Sequence, residues 1–279
     1  METTKVWFIT GASSGFGRAF SEYAIGKGYR VVVTARRFEK LAAIQALAPH
    51  QVEAIQMDVN DPPAVERAVA QAMKRFGRID VLINNAGYAI VGAVEETPEK
   101  ELRSQMETNF FGAVAVTRAV LPFMRQQQSG AIVNISSLGG QVSGPGFGAY
   151  SASKFALEGV SEALAGEVAP LGIKVLIVEP GTFRTELAGQ ALKHMPVIEA
   201  YQASVGGTRE FAKGMDGTQE GDPLKAAEAI EQALDAQNTP LRLQLGADAV
   251  AAVKAHSLTL LQQLEAWEAV GSNTKFEQV

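Results

Sequence analysis

Six short runs of β-branched and other apolar residues recur along the chain, at 6–9, 31–33, 52–55, 79–83, 131–135 and 173–178, each followed by enough chain to cross over and return. Runs this continuous, with little polar alternation, suit strands buried on both faces. Parallel neighbours need crossovers of roughly a dozen residues or more, and the amphipathic segments 17–26, 64–76, 99–126 and 149–168 are long enough to supply them as helices. The repeated unit predicts an α/β fold, a Rossmann-type doubly wound parallel sheet of about seven strands with helices on both faces. A helix over 223–236, a last strand over 241–245 and a terminal helix over 247–269 complete it. Asp61-Pro62 suits an N-cap and first helical position, and Gly28 and Gly77 suit helix ends.

Between 186 and 222 the periodicity weakens. Gly206-Gly207, Gly214, Gly217 and Gly221 are expected to break any long helix there, leaving a mobile excursion beside the substrate. The 279 residues, 47% hydrophobic and 20% charged, fit one domain over 1–279, with 1–135 as mainly the cofactor half and 136–279 as the catalytic and substrate half.

A net charge of −5 and the lack of any long basic run argue against nucleic acid as a partner. The chain has no cysteine, so no disulfide framework or thiolate metal site exists, and His50, His194 and His256 are isolated; no metal is expected. The first apolar run starts too near Met1 for a secretion signal, and no apolar stretch approaches the ~20 residues of a membrane helix. A soluble, cytoplasmic protein is expected.

Directly after the first predicted strand stands Thr10-Gly11-Ala12-Ser13-Ser14-Gly15-Phe16-Gly17. Glycines let backbone approach a diphosphate closely, and the helix opening there offers unpaired N–H groups and a favourable dipole. The second strand ends in Thr34-Ala35-Arg36-Arg37: no carboxylate stands where one would accept from an adenosine ribose, and two guanidiniums can pair bidentately with a 2′-phosphate. NADP(H) is the cofactor expected, with NAD(H) as the alternative. Further on, Tyr150-Ser151-Ala152-Ser153-Lys154 places phenol and ammonium one turn apart on one helix face, where the cation lowers the phenol's pKa. Ser137 ends the fifth strand, at the sheet edge where such folds hold ligands, with Ser136 as a structural rival.

The G-x-x-x-G-x-G spacing, the Ser137-to-Tyr150 interval and the Y-x-x-x-K pair together resemble the short-chain dehydrogenase/reductase family, including its hydroxysteroid, retinol and carbonyl reductases. The matches run from Thr10 to Thr185. The resemblance implies catalysis by Asn109, Ser137, Tyr150 and Lys154, with Tyr150 moving the hydroxyl proton, Ser137 orienting the carbonyl and Asn109 holding a water relay to Lys154. It implies cofactor binding by Gly11, Ser13, Ser14, Gly15, Phe16 and Gly17, by Arg36 and Arg37, by Asp58 and Val59 at the adenine, and by Asn85, Ala86 and Gly87 of the N-N-A-G motif. Tyr150 and Lys154 also touch the cofactor, and Pro180, Gly181, Thr182, Phe183 and Thr185 are expected at its nicotinamide end. The substrate would be a small carbonyl or alcohol, apolar because Ile90, Leu138, Val142, Phe147, Leu187 and Met195 are expected around it. A homodimer or homotetramer is expected, assembled through the helices over 109–124 and 149–168. Two other readings stand beside the oxidoreductase: a non-catalytic dinucleotide sensor, and a nicotinamide-dependent isomerase or lyase.

Overall fold

A computed structural model of the chain describes residues 4–185, 191–215 and 217–276. At its centre β1 (Val6–Thr10) pairs in parallel with β2 (Arg30–Ala35) on one side. A short α2 (Ala42–Leu47) leads on to β3 (Val52–Gln56), which forms the edge beyond β2. On the other side of β1 lie β4 (Val81–Asn84), β6 (Gly130–Ile135), β7 (Ile173–Pro180) and β9 (Arg242–Leu245), so the seven-stranded order is β3-β2-β1-β4-β6-β7-β9 and every pairing is parallel. The order reverses between β1 and β4, where an open α/β sheet presents its ligand crevice at the carboxyl ends of the strands. The expected doubly wound single domain is what forms.

Both faces are covered. Trp7 and Ile9 of β1 pack with Val31 and Val33 against Phe20 and Ala24 of α1 (Gly15–Gly26) and Ala227 and Ile230 of α8 (Pro223–Asp235). Val6 and Phe8, pointing the other way as alternate strand residues must, pack with Val32 against α3 (Pro62–Phe76), α5 (Ala113–Gln127) and the end of α6 (Gly148–Val168). All five residues of β1 are buried, and Val6, Phe8 and Ile9 each contribute about 1.5–3 kcal/mol of apolar burial. Asp61 caps α3, accepting from the Ala64 N–H with Pro62 at the first helical position, and Gly77 ends it at φ +76°, as the sequence indicated.

The structure departs from expectation in three places. The helix expected over 99–126 is α4 (Glu99–Met106), then a π-helical turn (Glu107–Gly112), then α5. The turn carries the buried Asn109 inward to bond both backbone groups of Tyr88, and Gly112 gives Val59 its space, since a Cβ there would lie 2.6 Å from Val59 Cγ2. Second, the glycines of the excursion do not prevent a helix: α7 (Gln202–Gly214) runs straight through Gly206 and Gly207. Its buried Val205, Arg209 and Ala212 recur at helical spacing, and their packing outweighs roughly 1 kcal/mol per glycine. Third, β8 (Leu192–His194) pairs in parallel with β5 (Ala89–Val91) as a separate two-stranded sheet.

A buried ion pair fastens this lobe. Arg209 donates to Glu96 Oε2 and to the Met195 carbonyl, while Glu96 also accepts from the Ala93 and Ile198 amides. Removing one member of a buried pair strands the other, at a cost of about 3–5 kcal/mol. Arg209→Met is therefore expected to lower the stability to urea by that amount, measured as a shifted midpoint; a variant within about 0.5 kcal/mol of the parent would show that the pair contributes little.

Candidate active site

The loop after β1 and the N-terminus of α1 form one wall of a cleft of about 1160 Å³ at the strands' carboxyl ends. Gly11 and Gly15 hold φ of +65° and +51°, values that favour glycine. Ala12 N–H donates to the Thr34 carbonyl, tying the loop to β2. A Cβ on Gly17 would lie 2.4 Å from the Gly11 carbonyl oxygen, so the helix opens against bare backbone. Ser13, Ser14, Gly15 and Phe16 line the cleft, Ser14 makes no side-chain cap bond, and no acid stands in the first turn of α1. A cradle of glycine backbone at an uncapped helix N-terminus fits a diphosphate. Gly17 itself does not line the cleft but packs beneath it.

Asn85, Ala86 and Gly87 follow β4 and form the floor, with the Asn85 side chain donating to the Thr10 and Gly11 carbonyls at 2.9 and 3.2 Å. Beyond β2, the exposed Arg36 and Arg37 line the cleft with Lys40, and Ala35 at the strand end contributes no charge. Asp58 accepts from the Asn60 N–H, and Val59 wedges between the cleft and Gly112. On the opposite wall Pro180, Gly181, Thr182, Phe183 and Thr185 also line it. Thr182, expected to face the cofactor, gives its hydroxyl and its amide to Asp248 Oδ2 at 2.8 Å, a partner the sequence did not single out.

Ser137, at the end of β6, and Tyr150 and Lys154, in the first turns of α6, converge on the same cleft. The Ser137 hydroxyl accepts from Gly139 N–H at 3.0 Å, beside the Tyr150 phenol whose pKa it lowers. Lys154 Nζ donates to the Ile135 carbonyl at 2.7 Å and stands 5.8 Å from the centre of the Tyr150 ring. Burial pushes the Tyr150 pKa up, with the Ser137 bond opposing it. The lowering expected from Lys154 does not appear, and desolvation of the phenolate dominates. Burial also drags Lys154 down to about 8, with Glu158 one turn along α6 acting against it. Asn109 lies outside the lining; its Nδ2 donates to the Tyr88 carbonyl and to Ser153 Oγ, one residue before Lys154.

Several residues enter that the motifs did not indicate. Glu158 and Glu179 are buried beneath the site around Arg242, whose Nε donates to Glu158 at 3.0 Å. Burial raises the Glu158 pKa, which Ser136, the rival to Ser137, and Arg242 partly offset. Glu158 follows Lys154 by four positions, a face-sharing interval that was legible in the sequence. Tyr88 lines the cleft with its hydroxyl buried, and its pKa is raised by burial and by Glu101 against the opposing charge of Arg36. On the apolar side, Leu138, Val142 and Phe147 line the cleft together with Leu192, Phe211 and Met215. Ile90 and Met195 do not; they pack with Ala149 in a small cluster behind it. Leu187 lies outside the described residues. No helix among the described residues is long and apolar enough to cross a membrane.

Comparison with known proteins agrees with this geometry. Residues 5–196 match the family described as short chain dehydrogenase. A short-chain dehydrogenase of known structure from Streptomyces avermitilis is 52% identical, with a TM-score of 0.93 over 99% of this chain and 100% of that one. A 3-ketodihydrosphingosine reductase of Bacteroides thetaiotaomicron is 40% identical over 87% of this chain and 88% of its own. An alcohol dehydrogenase from Thermococcus sibiricus, solved with 5-hydroxy-NADP, is 25% identical with a TM-score of 0.71 over 87% of this chain and 96% of that one.

The buried ammonium has a measurable signature. Folded, Lys154 releases its proton near pH 8; unfolded, it holds it until about 10.5. Between those values the unfolded chain binds more protons, so the Lys154 contribution makes stability rise with pH there, and below pH 8 the full cost of burying the cation is present. Lys154→Met, which removes that cost and also the bond to Ile135, is expected to be more stable than the parent at pH 7 by roughly 1–3 kcal/mol, the gap closing towards pH 10.5. Denaturation at the two pH values checks this, and an unchanging gap would contradict it.

Proposed function

Because the chain belongs to the short-chain dehydrogenase family, we propose that it is an NADP(H)-dependent oxidoreductase that interconverts a ketone or aldehyde with the corresponding alcohol. The observation that carries this reading is the meeting of Ser137, Tyr150 and buried Lys154 in the cleft that also holds the glycine cradle. The cradle residues Gly11, Ser13, Ser14, Gly15 and Phe16 would hold the diphosphate, Asp58 and Val59 the adenine, and Asn85, Ala86 and Gly87 the floor. Pro180, Gly181, Thr182, Phe183 and Thr185 would flank the nicotinamide end, and Lys154 the adjoining ribose. When bound, the nicotinamide supplies or accepts the hydride at the carbinol carbon.

The protein's own residues handle the proton and the oxygen. A phenol whose pKa is raised by burial holds its proton at neutral pH, so Tyr150 can donate it to a carbonyl oxygen as charge develops there. Ser137 donates a second hydrogen bond to that oxygen, and the Lys154 charge nearby eases loss of the phenolic proton. Asn109 acts at one remove, bonding the Tyr88 carbonyl and Ser153, the residue before Lys154.

Preference for NADP(H) over NAD(H) rests on the absence of an acid at the end of β2 and on Arg36, Arg37 and Lys40 around that corner. The apolar wall of Leu138, Val142, Phe147, Phe211 and Met215 favours a hydrophobic substrate, as does the 3-ketodihydrosphingosine in the name of the Bacteroides relative. Phe111 and Phe155, exposed on the π-helical turn and α6, support a homodimer or homotetramer through these helices. A cytoplasmic site of action fits a chain without cysteine.

Tyr150→Phe is expected to reduce carbonyl reduction by about 10²–10⁴-fold while leaving NADPH binding, read by fluorescence titration, near that of the parent. Near-normal turnover would refute the role of Tyr150. Arg36→Ala is expected to cut the preference for NADPH over NADH by roughly 10- to 100-fold in kcat/KM, and an undiminished preference would remove Arg36 from the 2′-phosphate site.

A further inference from the structure

The last helix, α9 (Ala247–Ser272), leaves the edge strand β9 and runs for 26 residues, about 39 Å at 1.5 Å per residue. Only Ala249 in it is buried. Beyond its first turns large apolar side chains stand in water: Leu258, Leu260, Leu261, Leu264, Trp267 and Val270 are each more than half exposed. Isolated exposed leucines are ordinary, but a contiguous apolar surface of this length on one element marks a binding face.

The spacing says what kind of face it is. Val250, Val253, Leu260, Leu264 and Trp267 fall on alternating steps of three and four residues, with Ser257 in the single polar place. That alternation is the seam of helix-on-helix packing. We propose that α9 packs antiparallel against α9 of a second copy of this chain, about a two-fold axis near Leu260.

Two features select this occupant and this direction. Reversing the seam about Leu260 sets Val253 against the partner's Trp267 and brings Ser257 within one residue of the partner's Leu264, so small side chains face large ones in a self-complementary two-fold contact. The same reversal brings Lys254 beside the partner's Glu265 and the partner's Glu268, whereas a parallel pair would set lysine beside lysine and glutamate beside glutamate. A lipid surface fits less well, because Lys254 is the one lysine or arginine on α9, against Asp248, Glu265 and Glu268. This contact is separate from the α5 and α6 faces, and it does not depend on the activity proposed above.

The chain has no cysteine, so one introduced thiol reports on the pairing alone. Mild oxidation is expected to join Leu260→Cys chains into covalent dimers and to leave Gln262→Cys, on the opposite side of α9, as single chains. By sedimentation velocity, Leu264→Glu is expected to halve the mass of the assembly while circular dichroism stays that of the parent. Lys254→Glu is expected to raise the dissociation constant at least about ten-fold, the size of one lost charge-assisted contact, and adding Glu265→Lys and Glu268→Lys to the same chain is expected to restore it. Single chains from oxidised Leu260→Cys, equal cross-linking of both cysteine variants, or an unchanged mass for Leu264→Glu would overturn the pairing. So would flotation of the parent with phosphatidylcholine and phosphatidylglycerol vesicles as a monomer.

Discussion

The Thr10 hydroxyl accepts from the backbone amides of Asn85 and Ala86 at 2.9 and 3.0 Å, while the Asn85 side chain reaches back to the Thr10 and Gly11 carbonyls. These bonds clamp the ends of β1 and β4 at the point where the strand order reverses. The two loops leaving there must diverge, one over each half of the sheet, and the cleft is the space between them. Gly17 completes the clamp, because the Asn85 amide and the Gly11 carbonyl occupy the space a Cβ would need. The glycine cradle keeps its shape here because these polar groups tie the two loops together where they begin to diverge.

Beneath the reactive end, the interior is unusually polar for a sheet so apolar elsewhere. Asn84 bonds Thr117 and Asn134, and Asn134 bonds Ser161, forming a ladder across β4, β6 and α6. Glu158, Glu179 and Arg242 form a second cluster under Lys154. Each of these groups is costly to bury alone and tolerable when bonded. The ladder fixes α6 against β6 in one register, so that Tyr150 and Lys154 meet Ser137 across two elements. The apolar bulk of the two faces carries the stability that this polar interior gives up.

Much of this was readable from the chain. Continuous apolar runs identified six of the seven strands of the main sheet, because strands buried on both faces have little polar alternation to blur them, while the edge strand β9 was read from the alternating Leu241 to Leu245. The glycine turn, Ser137, Tyr150 and Lys154 were legible because the chemistry needs those residue types at fixed intervals. What escaped depended on distant contacts. Asn109 belonged to a helical pattern, and only its bonds to Tyr88 reveal the π-helical turn. Gly206 and Gly207 pointed to a broken segment until the inward face of α7 was seen to pack. Ile90 and Met195 were apolar residues near the cleft in sequence, yet they fill the layer behind it. The fall of Lys154 and rise of Tyr150 follow from burial, which spacing alone does not report.

The β5–β8 ladder joins two segments a hundred residues apart through three register pairs and shares no hydrogen-bonded strand with the main sheet. Together with the bond from Arg209 to Glu96, it attaches β8 and α7 as a unit laid against the cleft rather than woven into it. Amide protons of β8 and α7 are therefore expected to exchange through an opening smaller than global unfolding, and those of β1 and β4 only with the whole domain. On this connectivity, the wall that shapes the apolar side of the cleft is expected to open at a lower free-energy cost than the sheet it lies against.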